Sequence, residues 1–154
     1  MVQYDKKNIQ LEYPDTWSLT EDDFDETIRA ITIECPNEGI YTIDIYHKEQ
    51  APSLNSYMNR SNKYFEKELP IGSKVLHWSK PISIKALNQG HEILGKSIEF
   101  SCKSFFFMKS KYTALYFCIE SQKMISMCCA QFSNDCISES TEGFKMLLNS
   151  YKAT

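Results

Sequence analysis

YTALYFCIES (residues 112–121) and MISMCCAQF (residues 124–132) follow one another with only Gln122 and Lys123 between them. An extended chain sends alternate side chains to opposite faces of a sheet. In both segments each of the two alternation sets is apolar. Leu115, Phe117 and Ile119 stand against Ala114, Tyr116 and Cys118, and Met124, Cys128 and Phe132 stand against Ile125, Met127 and Cys129. A sheet with one wet face would alternate apolar and polar residues instead. The two segments therefore read as central strands whose sheet is covered on both sides.

The chain supplies two covers. From Ser53 to Leu69 the period becomes helical, with Leu54, Met58, Phe65 and Leu69 on one stripe and Tyr57 and Tyr64 on its flank. Ser53 can cap this helix, Pro52 precedes the cap and Pro70 blocks continuation. A second helix beginning near Ser138 or Ser140 places Phe144, Leu147, Leu148 and Tyr151 at i, i+3, i+4 and i+7. The fold class that satisfies every face is α/β (α+β), an antiparallel β-sheet sandwiched between helices as an α/β/α sandwich.

Working outward, NIQLEY alternates Ile9, Leu11 and Tyr13 with polar neighbours and ends in the turn residues Pro14 and Asp15. IRAITIEC and IYTIDIY put Ile31, Ile33 and Cys35, then Tyr41, Ile43 and Ile45, each on one face. The PNEG between them predicts a hairpin in which Gly39 takes a positive φ. KVLHWSKPISI and HEILGKSIEFSC complete the strands, with NQG, MKSK and SQK as separators. No repeat, linker or low-complexity tract interrupts the chain, so residues 1–154 are expected to form a single domain.

Composition narrows the function. The 42% hydrophobic and 24% charged fractions of the 154 residues are those of a folded globular chain. A net charge of −3 offers no field for a polyanion, and Arg29 and Arg60 are the sole arginines, so nucleic acid is not an expected partner. The N-terminal residues form no apolar leader core and no segment approaches the roughly 20 apolar residues of a membrane span, which predicts a cytoplasmic location. Cys35, Cys102, Cys118, Cys128, Cys129 and Cys136 lie mostly in apolar strand-like runs, where reduced thiols act as small hydrophobes.

Three stretches carry a family likeness: IQLEYPDTW (9–17), an opening strand followed by Tyr-Pro-x-x-Trp; PSLNSYMNRSNKYFEKEL (52–69), a middle helix; and TEGFKMLLNSYK (141–152), a closing helix. In these and in the order of elements the chain resembles the PsbP-like superfamily, which includes the DcrB-related bacterial proteins and the Ran-binding Mog-type factors. The likeness implies a PsbP-like α/β/α sandwich in which Pro14 makes the turn and Trp17 packs beneath it. It also implies a binding role rather than catalysis, since bacterial relatives include chaperones for type VI secretion effectors and domains resembling toxin immunity proteins.

The most distinctive charge feature is EDDFDE, in which Glu21, Asp22, Asp23, Asp25 and Glu26 surround Phe24. A solvated loop is the bland reading. The sharper one is a protein interface, in which clustered carboxylates around an aromatic anchor occupy the cationic cleft of a basic partner such as a nuclease toxin. Phe105, Phe106 and Phe107 read as core on a sheet covered twice, with an exposed recognition patch as the alternative. His47, His77 and His91 fall in separate segments with no metal-ligand spacing, and no cofactor motif is present. No nucleophile elbow or phosphate loop occurs, which leaves for an enzyme only a distant pair such as Cys102 with His77 or His91. The expected function is a non-catalytic immunity protein that neutralises a cognate toxin by binding and occlusion. The alternative is a type VI effector chaperone that cradles an apolar client segment between helix and sheet.

Overall fold

The computed structural model describes residues 1–25, 28–36, 38–104 and 108–154. In chain order its elements are β1 (Val2–Lys6), β2 (Ile9–Tyr13), β3 (Ser18–Phe24), β4 (Ile28–Glu34), β5 (Ile40–His47), α1 (Leu54–Glu68), β6 (Lys74–Trp78), β7 (Ile82–Asn88), β8 (His91–Lys103), β9 (Lys109–Glu120), β10 (Met124–Ser133), α2 (Ile137–Ser150) and β11 (Lys152–Ala153). Among the described residues the main sheet is antiparallel in the order β3-β4-β5-β10-β9-β8-β6, with β7 also paired to β8. β1, β2 and β11 make a small sheet of their own.

The doubly apolar strands β9 and β10 sit side by side in the middle, with Cys128 opposite Phe117 and Ala130 opposite Leu115. On one face, Leu115, Phe117, Ile119, Cys128, Ala130 and Phe132 join Ile31, Ile33, Tyr41, Ile43 and Ile45 beneath Phe144, Leu147, Leu148 and Tyr151 of the α2 segment. On the other, Ala114, Tyr116, Met127 and Cys129 meet Ile98, Phe100, Cys102 and Tyr46 beneath Tyr57 and Met58 of α1. The vicinal Cys128 and Cys129 thus enter opposite cores, and all six cysteines are free.

α1 begins where its chemistry says it should: Ser53 Oγ accepts the Ser56 N–H at 3.1 Å. Asn62 and Glu66 tie it to the sheet by accepting from the Tyr116 hydroxyl at 2.9 Å and the Trp78 indole N–H at 2.6 Å. α2 starts at Ile137, and Cys136 gives it no side-chain cap. The turn after β2 closes with Trp17 N–H on the Pro14 carbonyl at 3.0 Å. Trp17 then lies stacked on Tyr41, ring centroids 4.2 Å apart, and α2 passes so close above it that a Cβ on Gly143 would overlap the indole ring.

Four features differ from the sequence reading. The α2 side carries a second cover, because Ile9, Leu11 and Tyr13 of the small sheet pack into the same core. KVLHWSKPISI is two strands, β6 and β7, interrupted at Ser79–Pro81 because a proline cannot donate to the ladder. Lys109, Ser110 and Lys111 are the start of β9 rather than a separator, paired with Lys103, Cys102 and Ser101. In the β4–β5 hairpin Glu38, not Gly39, has the positive φ (63°), and Gly39 serves instead by leaving room for the Cys35 thiol. Phe105, Phe106 and Phe107 lie outside the described residues.

Candidate protein interface

Glu21 to Phe24 of the EDDFDE stretch lie in an edge strand rather than a loop, and alternation divides them. β3 pairs antiparallel with β4, with Glu21 opposite Thr32, Asp22 opposite Ile31, Asp23 opposite Ala30 and Phe24 opposite Arg29. Residues opposite one another share a face. Asp22 and Phe24 therefore face the α2 side with Ile31, while Glu21 and Asp23 face the α1 side. Within Glu21–Phe24 the carboxylates and the aromatic ring therefore do not share one face, because a strand cannot present neighbouring residues on the same side. Glu26 lies outside the described residues, and Asp25 ends the strand by accepting the Ile28 N–H at 3.1 Å.

Asp22 is turned inward. Its carboxylate takes both prongs of Arg29, Nε to Oδ1 at 2.9 Å and Nη2 to Oδ2 at 3.0 Å, and the two side chains are 8% and 7% exposed. The Tyr4 hydroxyl donates to the same carboxylate, and the remaining Arg29 N–H groups reach the Lys6 and Lys7 carbonyls. The Arg29 hydrogen bonds hold the Asp22 carboxyl below its ordinary range, against the opposing effect of burial. This network pins the β1–β2 turn to the main sheet, so Asp22 is structural.

Glu21 and Asp23 stand exposed on the other face, and Glu34 shares it, opposite Ser18 at the far end of β4. The apolar cluster under α1 takes Tyr46 from β5 and only the margin of β4, at Ile28, and includes no residue of β3. Half of this face is therefore open. Between it and α1 runs a groove of about 360 Å³ with Ile40, Thr42 and Asp44 on the strand side and Tyr57, Arg60 and Tyr64 on the helix side. Ile40 and Tyr64 are exposed, Tyr64 by 66%. Asp44 accepts the Tyr57 hydroxyl at 2.5 Å. Its burial raises the carboxyl above the ordinary value, with the Tyr57 hydrogen bond and the Arg60 charge opposing.

A groove between helix and sheet was expected for a chaperone, but its lining residues were not named from the sequence. Its signal was available in IYTIDIY, where Thr42 and Asp44 occupy the alternation set opposite Tyr41, Ile43 and Ile45 and mark a strand wet on that side.

The thiol-imidazole pairs considered for catalysis are not assembled. His91 and Cys102 lie at opposite ends of β8, His77 is exposed on β6 opposite Ser101, and burial raises the Cys102 thiol. Cys129, which lines the groove, is pushed up to about 12 by burial and is held as the thiol. Among the described residues no three His, Cys, Asp or Glu side chains are grouped to hold a metal, and no helix is long and apolar enough to cross a membrane.

No protein-family model and no curated protein matches the chain. Solved structures do. The cyanobacterial PsbP (CyanoP) of Synechocystis superimposes over 99% of this chain and 92% of its own, with a TM-score of 0.56 at 9% identity. The fold is PsbP-like. A protein of Bacteroides thetaiotaomicron aligns with 96% of the chain at 11% identity and a TM-score of 0.47, and the chain spans 45% of its length. LpqN, involved in cell envelope biogenesis of Mycobacterium tuberculosis, aligns with 95% of the chain and 83% of its own at 13% identity and a TM-score of 0.42. At 9% identity the likeness to CyanoP extends to the architecture and not to what that protein binds.

Proposed function

We propose that the protein is a non-catalytic, cytoplasmic protein-binding module that receives a basic protein partner on the open half of its sheet. The observation that carries this reading is the placement of Glu21, Asp23 and Glu34 on one exposed face beside an uncovered groove. Those carboxylates supply steering and register, while Ile40 and Tyr64 supply apolar and aromatic contact area of the kind that anchors interfaces. An immunity protein that occludes the cationic cleft of a cognate toxin matches this charge and needs no chemistry of its own. The raised groove thiol at Cys129 supports a binding role over thiol catalysis.

The groove favours a second reading. A chaperone for a secreted effector would lay an amphipathic client helix between α1 and β5, with Tyr64 and Ile40 as the walls.

One experiment separates the two. Tagged wild-type protein and a Glu21→Lys, Asp23→Lys, Glu34→Lys variant are used to capture partners from the native cell, and affinities of the captured protein are measured against ionic strength. Immunity predicts a soluble basic domain whose affinity falls at least tenfold in the variant and weakens with salt in the wild type. A chaperone predicts an apolar segment, sensitive instead to Tyr64→Ala. A partner indifferent to both variants refutes this face as the interface.

A further inference from the structure

Phe24, separated by alternation from the acidic face, borders a second cleft on the opposite side of the sheet. About 390 Å³ in volume, it opens between the β1–β2 turn and the β9–β10 turn. Its floor is apolar, made by Ile9, Ile45 and Met124, and its wall is the half-exposed ring of Phe24. Lys7 Nζ lies 4.0 Å and the Arg29 guanidinium carbon 4.5 Å from the centroid of that ring, which fixes the aromatic face beside positive charge. Lys123 and His47 complete the rim from the ends of the neighbouring strands.

Among the described residues the charges of the cleft do not fully cancel, since Lys7 and Lys123 stand against one carboxylate side chain, that of Asp25. Arg29 is neutralised by Asp22 from behind. Asp25 accepts the Ile28 N–H at the strand end and keeps its negative charge, which offsets one of the two lysines. Lys7 and Lys123 line the cleft, and no salt bridge joins either of them among the described residues. The wall is tied at its base, where Arg29 donates to the Lys6 and Lys7 carbonyls, and Lys7 and Asn8 occupy the left-handed region (φ 49° and 69°) of a tight turn. A cleft of this size with an apolar floor and a few convergent polar groups is the usual form of a small-molecule site.

We propose that this cleft binds a small organic anion consisting of one carboxylate or phosphate on an aromatic body. The ring lies on Ile9, Ile45 and Met124 against Phe24, and the anionic group meets Lys7 and Lys123. The site is independent of the protein-binding face, because Glu21 and Asp23 point away from it.

The test is titration of the full chain, followed by amide chemical shifts, with phenylacetate, phenyl phosphate, inorganic phosphate and the neutral analogue phenylethanol. The two aromatic anions are expected to give saturable shifts confined to the β1–β2 turn, Phe24, Lys123 and the β11 end. Inorganic phosphate and phenylethanol should bind at least tenfold more weakly. The preference between the two anions tells a carboxylate ligand from a phosphate ester. Lys7→Gln with Lys123→Gln, both at exposed turn positions, should weaken the better anion about tenfold, and Phe24→Leu should lower its advantage over inorganic phosphate. Absence of saturable shifts, equal binding of phenylethanol, or affinity unchanged in the lysine variant would overturn the proposal, the spectrum of each variant showing that it is folded.

Discussion

Asp22 and Asp23 are chain neighbours with opposite surroundings, one paired with Arg29 inside the protein and the other in solvent. Removing a partner from a buried ion pair leaves an uncompensated charge, so Arg29→Met should cost about 3 kcal/mol in urea melts, whereas Asp23→Asn should stay within about 0.5 kcal/mol. The pH dependence follows from the depressed Asp22 carboxyl. Its contribution is complete above the unfolded value of about 3.9 and is lost as the pH falls through the folded one. Arg29→Met should flatten that acid limb. Gly143 offers a second residue-scale test. Alanine is the better helix former by about 1 kcal/mol, yet a Cβ there strikes the Trp17 ring, so Gly143→Ala should destabilise by about 1–3 kcal/mol. A stabilised variant would mean that α2 does not seat on Trp17 as described.

At the scale of elements, α1 was legible because its ends and most of its stripe are written in local chemistry: a serine cap, a proline on either side, and Met58 and Phe65 toward the sheet, although Tyr57, read as flank, is buried beside them. Loss of the cap in Ser53→Ala should cost about 1 kcal/mol by thermal melt, and no change would show that the first turn is held by packing alone. β3 was not legible. Its Ser18–Phe24 run is polar on both alternation sets, since an edge strand beside an open face has little to bury, and periodicity carries no signal there. The same blindness hid the division of the acidic stretch. Beneath α1, Asp44 gives the opposite pH behaviour to Asp22. Its raised carboxyl is best accommodated when protonated, so its contribution is complete below about 3.9 and declines as the pH rises through the folded value. Asp44→Asn keeps an acceptor for the Tyr57 hydroxyl and should abolish that decline, seen as a higher melting temperature at neutral than at acid pH relative to wild type. An identical pH profile in the two proteins would place Asp44 in water.

For the molecule as a whole, the doubly apolar β9 and β10 determine the architecture, because two core faces demand two covers and the chain has the helices to make them. The small sheet of β1, β2 and β11 escaped the sequence reading because β11 pairs Lys152 with Gln10 across the length of the chain, and such pairing leaves no local trace in two residues. The resulting asymmetry, one face closed by α2 and the small sheet and the other half closed by α1, is what the functional reading depends on. Hydrogen–deuterium exchange of the free protein measures it directly. Amides of Ala114–Ile119 and Ser126–Ala130 should exchange slowest, through global unfolding, while those of Ser18–Phe24 should exchange through local fraying orders of magnitude faster. Protection of Ser18–Phe24 equal to that of the two central strands would contradict an open edge and, with it, the interface assigned to that face.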